Sequence, residues 1–512
     1  MTTNKKIDIL CITFFLISLL YYFVTPFTED IFVFLGAAHI AEIQYGGGIW
    51  GAIHSWEIKP FINRILIFVV YKFTSLFVDF DAKQDFIIVL KLVYSIFIFA
   101  SAYCLSAILR KMEFHTLGTT FRNYFLLLCC ILFLHPFTAI LEAEYSALLF
   151  SFFALYFLLS PKRVYYAIGV LILSIIPFFK GISAIFVIQI LCILFGLFQW
   201  NWRQILKTGF LLVAVCLFII SCLYFMYPQE FVDIKDATLF QSSFEISISG
   251  FTKLVFLTGL RYTIYQATQF PLLPITVFAV LFIILKDWTR CIFDKEIISL
   301  FFAWVVGYFA IIIQHHFFVY HFVNLSIPMV FSIFLVIKLS KEYLLFKKAT
   351  IIFTGLFFLL FLLGTSPLQR LLPEESIVTR YPGEGDYLYM QKTYGDYDKI
   401  IKAKPKNLDI NSEVLYLDDG RGVWCWGAKS ASRYFFPLPV QRYSWNKKLA
   451  KRKCYKDVLD VMNAFDGKYI LFYESWFKVP ELEDFNIFRK KLKEYDRILI
   501  TDGYAIYEKI KN

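Results

Sequence analysis

The chain has 512 residues, 59% of them hydrophobic and 20% aromatic, with 60 Phe and only 18% charged residues. Its mean hydropathy is +0.62, which excludes an ordinary soluble domain and points to a polytopic α-helical membrane protein. The formal net charge of +11 fits Lys and Arg in cytoplasmic loops and near lipid headgroups, with no nucleic-acid partner.

The N-terminus, MTTNKK, leads into an apolar run over 8–25. No small-residue cleavage pattern follows, and the many later runs favour an uncleaved first helix over a signal peptide. Next comes TPFTEDIFVFLGAAHIAEIQYG (25–46), amphipathic, with Glu29 and Asp30 at its start and His39 and Glu42 further on. HSWEIKPFINR then supplies Glu57, Lys59 and Arg64. The run over 61–78 carries Asn63, Arg64 and Lys72, which are costly in a lipid-facing span. Further spans are expected near 86–109, 123–136, 145–160, 163–179, 182–199, 207–227, 271–286, 297–314, 323–339 and 349–365, about eleven transmembrane helices with 8–25.

The positive-inside rule decides what 61–78 does. With Lys5 and Lys6 in the cytoplasm and 61–78 kept as a surface helix, nearly every basic cluster falls inside: Arg110, Lys111 and Arg122; Lys162 and Arg163; Arg203 and Lys207; Lys286, Arg290 and Lys295; Lys338 to Lys348. Counting 61–78 as a span reverses every later loop. The first outer loop is therefore expected to be long, with helices lying on the membrane surface.

From about Pro367 charged and turn residues rise, and the chain is expected to divide into a membrane part, 1–366, and a small extracytoplasmic α/β domain, 367–512. In the latter the pattern predicts a strand at 412–419, a helix near 447–464, a strand at 468–475, a helix near 481–494 and a closing hairpin turning at Asp502-Gly503. Eight of the ten Cys lie in or beside apolar runs and read as packing residues. Cys425 and Cys454 lie in the polar part, where a disulfide is open if that part faces an oxidising compartment.

The outer face collects the chemistry-bearing residues: Glu29, Asp30, Glu57, Lys59 and Arg64; Glu142 and Glu144 in HPFTAILEAEYS; Lys180 in PFFKG; and His315, His316, Tyr320 and His321 in QHHFFVYH. A partly desolvated carboxylate can take a proton from an attacking hydroxyl. Cations at the same depth can hold a phosphate and stabilise charge as a bond to it breaks. Each residue also has a plainer reading. The acids cap helices or sit solvated, Lys59 and Arg64 anchor to headgroups, Lys180 snorkels, the His residues form a polar collar and Tyr320 joins an aromatic belt. Metal-ligand spacing is absent from these outer carboxylates and His.

The order of these motifs resembles the GT-C glycosyltransferases that use polyprenyl-phosphate sugars, above all the bacterial group of lipid A aminoarabinose transferases and family 39-like protein mannosyltransferases. TEDIF supplies the first-loop acid Asp30. EIKPF matches a K-P-P-L motif at Lys59 and Pro60, with Phe61 in place of the second Pro. EYSALL places Glu144 where the family has D-A-L-L, and FKG matches a T-K-G turn at Lys180 and Gly181. VYHFVNLSIP is similar to a Y-x-x-x-P segment, and the tail GAKSASRYFFPLP to outer α/β domains of such enzymes.

The resemblance implies a transfer from a polyprenyl-phosphate sugar donor to a glycan, lipid or protein acceptor, with Asp30 as base and Glu144 orienting the sugar or acceptor, or holding a divalent metal if one is used. It implies a substrate-binding set of Glu29, Glu57, Lys59, Arg64, Lys180, His316, Tyr320 and His321, with Arg421, Trp424, Trp426, Arg433 and Tyr434 shaping acceptor choice. It also implies a multi-pass protein of the bacterial inner (plasma) membrane. Two other readings stand beside it. A lipid-linked glycan flippase needs charges at mid-depth and often repeated halves, and neither is seen. Another lipid-dependent transferase, a glycan ligase or acyltransferase, makes the His cluster the catalytic centre.

Overall fold

A computed structural model of the protein describes residues 3–24, 29–55, 60–111, 121–133, 141–229, 231–232, 294–314, 319–339, 396–435, 437, 440, 452–474, 477, 483–501 and 503–510. Helices dominate the first part: α1 Thr3–Val24, α2 Glu29–Ile43, α3 Gly48–His54, α4 Phe61–Ser75, α5 Lys83–Lys111, α6 Phe121–Phe133, α7 Ala143–Leu158, α8 Arg163–Ile175, α9 Ala184–Gly196, α10 Trp202–Met226, α11 Lys295–Gln314 and α12 Ser326–Leu339. Short 3-10 turns fall at Ile176–Phe178, Gly181–Ser183 and Val319–Leu325. Among the described residues α5, α10 and α11 are long and apolar enough to cross a membrane. The expected spans at 271–286 and 349–365, and the expected boundary at 366, lie outside the described residues.

The described residues fall into two units: one holds those within 1–27, 94–220 and 246–389, the other those within 28–93, 221–245 and 390–512. In the first unit α7 packs along α8, and α9 along α11. A buried amide ties the second pair: Gln189 Nε2 donates to the carbonyls of Ala303 at 3.1 Å and Asn324 at 2.7 Å. Gly307 makes that approach feasible, because a Cβ there meets the Asn324 carbonyl at 2.6 Å and Gln189 Nε2 at 2.7 Å.

The second unit joins residues far apart in sequence. Its tail folds as β1 Glu413–Leu417, α13 Gly422–Trp426, β2 Lys429–Ser430, α14 Lys453–Ala464, β3 Tyr469–Tyr473, α15 Asn486–Lys491, β4 Tyr495–Leu499 and β5 Tyr504–Lys509. The sheet order is β2-β1-β3-β5-β4. β1 runs parallel to β2 and β3, while β5 is antiparallel to β3 and β4. The strands, the α14 helix and the closing hairpin lie where the sequence pattern puts them; β2 and α13 were not expected. Cys425 and Cys454 are both buried and are not joined by a disulfide.

α2 is apolar around its circumference, and Ile31–Ala41 are buried on every side. Protein supplies the cover: α3, α4, α13 and β2 all pack on it. Gly36 faces α13, a Cβ there lying 3.4 Å from Val423 Cβ, an ordinary packing distance. Trp424 of α13 sits among Phe32, Phe80 and Phe86, with ring centroids 5.4, 5.1 and 6.0 Å away. The Gln44 side chain acts as a pairing partner for β2, donating to the Ser430 carbonyl at 3.1 Å and accepting its amide at 3.2 Å. α4 has 15 residues, short of the about 20 that cross a bilayer. It buries one face on α2 and α3 and exposes Val69 and Phe73.

Gly307→Ala is expected to cost about 1–3 kcal/mol through overpacking and to lower the thermal midpoint of the protein in detergent. Gly209→Ala, where a Cβ meets nothing within 4 Å, is expected to leave the midpoint unchanged or raise it, by up to about 1 kcal/mol. Equal losses in both would contradict the close contact at Gly307.

Candidate functional site

The first unit gathers charge at the start of α7. Leu141 precedes it with φ 64, a left-handed backbone that costs a Leu about 1–2 kcal/mol. The residue is fully buried, so packing holds the strain in place. That turn delivers Glu142 and Glu144, both 0% exposed, into the interior of an apolar helical unit. Tyr145 Oη donates to the Leu132 carbonyl at 2.7 Å, and Tyr94 Oη bonds Ser146 Oγ at 3.0 Å, fixing α7 against α6 and α5.

Glu144 pairs with Lys180 Nζ. Lys180 has an extended backbone (φ −162°, ψ 139°) between two 3-10 turns, and the neighbouring Phe179 ring packs on Phe150 of α7 at 5.2 Å. The turns on both sides of Lys180 and the Val319–Leu325 segment pack on α7. That segment carries Tyr320 and a buried His321, and Asn324 Nδ2 donates to the His321 carbonyl at 2.8 Å. Glu142, Glu144, Lys180 and the His321 segment thus share one neighbourhood. Charged groups inside apolar helices are costly and mark ligand or ion sites more often than they mark stability.

The other predicted residues divide. Asp30 stands in the first turn of α2, half-buried, after Glu29. Arg64 is buried in α4 and its Nη1 donates to the carbonyls of Ile53 at 2.8 Å and Ser55 at 2.6 Å, closing the end of α3. Both belong to the second unit. Glu57, Lys59, His315 and His316 lie outside the described residues. Trp424 and Trp426 are buried, the packing alternative to sugar stacking. Arg421 is also buried, ion-paired with Asp419 and bonded to Tyr397. Tyr434 packs in the core of the sheet domain, and Arg433 lies over its ring with 5.7 Å to the centroid. Among the described residues no three His, Cys, Asp or Glu side chains are grouped as metal ligands.

Sequence reasoning gave His39 no role beyond its place in the first loop. It sits buried, with Nε2 on the Gly427 carbonyl at 3.1 Å, Nδ1 on Tyr71 Oη at 2.8 Å and its ring stacked 3.9 Å from Phe80. The neutral ring suits this arrangement, Nε2–H donating to the carbonyl and Nδ1 accepting from the phenol. Burial pushes its pKa down to about 4, against the Gly427 carbonyl, which pulls it up. Comparison of the chain with family models, with curated proteins and with solved structures gives no match.

Three outcomes are expected. The unfolded chain takes up the His39 proton below about pH 6.5 and the folded chain only near 4, so this residue's contribution is full above 6.5 and lost as pH falls to 4. Asp418, raised to about 7 by burial, has the opposite sign, its contribution being lost as pH rises to 7. It remains in both proteins when wild type is compared with His39→Gln. The wild-type midpoint should therefore fall more steeply from pH 6.5 to 4; parallel curves would contradict a neutral buried His39. Leu141→Gly should be at least as stable as Leu141→Ala, with about 1 kcal/mol in its favour, reversing the usual order. In the third, Glu144→Gln or Lys180→Met alone should each cost about 3–5 kcal/mol, and the double variant less than the sum; strict additivity in thermal unfolding would mean that the two do not interact.

Proposed function

We propose that the protein is an integral-membrane glycosyltransferase that moves a sugar from a polyprenyl-phosphate donor to a glycan, lipid or protein acceptor on the outer face of a bacterial plasma membrane. The observation that carries this reading is the buried Glu144–Lys180 pair, set in an apolar helical unit beside Glu142 and the His321 segment. The order of the motifs TEDIF, EIKPF, EYSALL and FKG along the chain supports it. The proposal keeps about eleven transmembrane helices of GT-C type, a surface helix in the first outer loop and an extracytoplasmic tail domain.

In this reading Asp30 takes the proton of the acceptor hydroxyl. The acceptor oxygen bonds to the anomeric carbon from the face opposite the phosphate. The bond from that carbon to the phosphate oxygen breaks, its electron pair staying on polyprenyl phosphate, and the anomeric configuration inverts. Lys180, with Lys59, His316 and His321, balances the charge on the departing phosphate. Lys180 is paired with Glu144 before substrate arrives, so phosphate binding exchanges one anion for another at the ammonium. Glu144, released from the lysine, is then placed to orient the sugar.

The test supplies purified protein in lipid with a panel of polyprenyl-phosphate sugars and follows free polyprenyl phosphate by mass spectrometry. Wild type is expected to release it with one donor. Asp30→Asn and Lys180→Met are expected to slow release by about a hundredfold or more, as loss of a general base or an electrostatic stabiliser does. Full release in Asp30→Asn would remove it as the base. Transbilayer movement of a lipid-linked glycan without donor cleavage would replace the enzyme by a flippase.

A further inference from the structure

We propose that Ser183 is a further ligand-binding residue, its hydroxyl donating to a phosphate oxygen held by the Lys180 ammonium at the turn that opens α9. The inference rests on the reading of this neighbourhood as a polyprenyl-phosphate site and adds to it a residue that no motif singled out.

Ser183 is 0% exposed, and its Oγ has no hydrogen-bond partner among the described residues. Buried hydroxyls elsewhere in the helices are satisfied. Ser18, Ser101, Ser106, Ser151, Ser174 and Thr74 all donate to the carbonyl four residues back, at 2.7–2.8 Å. Ser183 stands at the N-cap of a 13-residue helix, where a serine oxygen usually accepts an amide, yet it makes no capping bond. A buried hydroxyl left so destabilises the fold unless a ligand or water completes it.

The surroundings favour an anion. The Ser183 amide donates to the Lys180 carbonyl at 2.8 Å, so the two residues share one turn. Gly181 between them faces open space, a Cβ there meeting nothing within 4 Å. The turn packs on α7, which brings Glu144 to Lys180. A cation, a free hydroxyl donor and the N-terminal amides of α9 together match the oxygens of a phosphate ester. A carboxylate already occupies the cation, which shows that this ammonium accepts an oxyanion at this depth.

The full-length protein in detergent is titrated with undecaprenyl monophosphate, with inorganic phosphate and with phosphatidylglycerol, read by native mass spectrometry. Ser183→Ala is expected to raise the Kd for undecaprenyl monophosphate about tenfold, the loss of one hydrogen bond to a charged group. Phosphatidylglycerol binding should stay unchanged and the ligand-free thermal midpoint should hold or rise, since the variant removes a buried hydroxyl that has no partner among the described residues, whereas a structural role would lower the midpoint. Ser183→Thr, which keeps the hydroxyl, should restore most of the affinity. A Ser183-dependent response to inorganic phosphate alone would keep the phosphate site and assign it to a free phosphate. Equal Kd values for wild type and Ser183→Ala would overturn the role of Ser183 and leave the lipid-phosphate reading standing. No saturable binding of either phosphate to wild type would overturn both.

Discussion

A helix that is apolar all round has to be covered on every side, by lipid or by protein. α2 is such a helix, and protein covers it. α3 and α4 take one part of its surface, and α13 and β2, from nearly four hundred residues further along the chain, take the rest. Trp424 fills the space among Phe32, Phe80 and Phe86. Polar contacts then fix the register: Gln44 pairs with β2, and His39 bonds the Gly427 carbonyl. The loop after α1 and the tail therefore belong to one compact unit.

The first unit obeys a related constraint. Inside apolar helices every charge needs a partner. Glu144 and Lys180 meet that need with each other, Glu144 in the first turn of a helix that follows the left-handed Leu141. Lys72 and Glu42, bonded at 2.8 Å on the exterior, are the contrast; such a pair contributes little in either direction.

Much of the tail was legible because its strands are short apolar runs bounded by turn residues, and β4 and β5 pair antiparallel as a closing hairpin does. β2 was not legible. It is two residues long, and its position is set by Gln44, which no local pattern connects to it. The acids of EAEYS and the lysine of FKG stood out as charges beside apolar runs, but their pairing is a tertiary fact. Arg64 looked like a headgroup or phosphate ligand because sequence shows the charge and not the two carbonyls that engage it. Ser183 gave no signal, since a serine before an apolar helix reads as an ordinary cap. The first loop's amphipathic pattern suggested a membrane surface for 25–46; α3 and α4, with α13 and β2 of the tail, pack on α2.

Sidedness is the most direct test of this architecture, because two segments of one folded unit must lie on the same side of a membrane. Cys would be placed at exposed Lys72 and at exposed Ile410, separately, and sealed membrane vesicles treated with a membrane-impermeant maleimide before and after permeabilisation, with the wild type as background. The account predicts that both positions label from the same side. Labelling of Lys72→Cys from one side and Ile410→Cys from the other would contradict it.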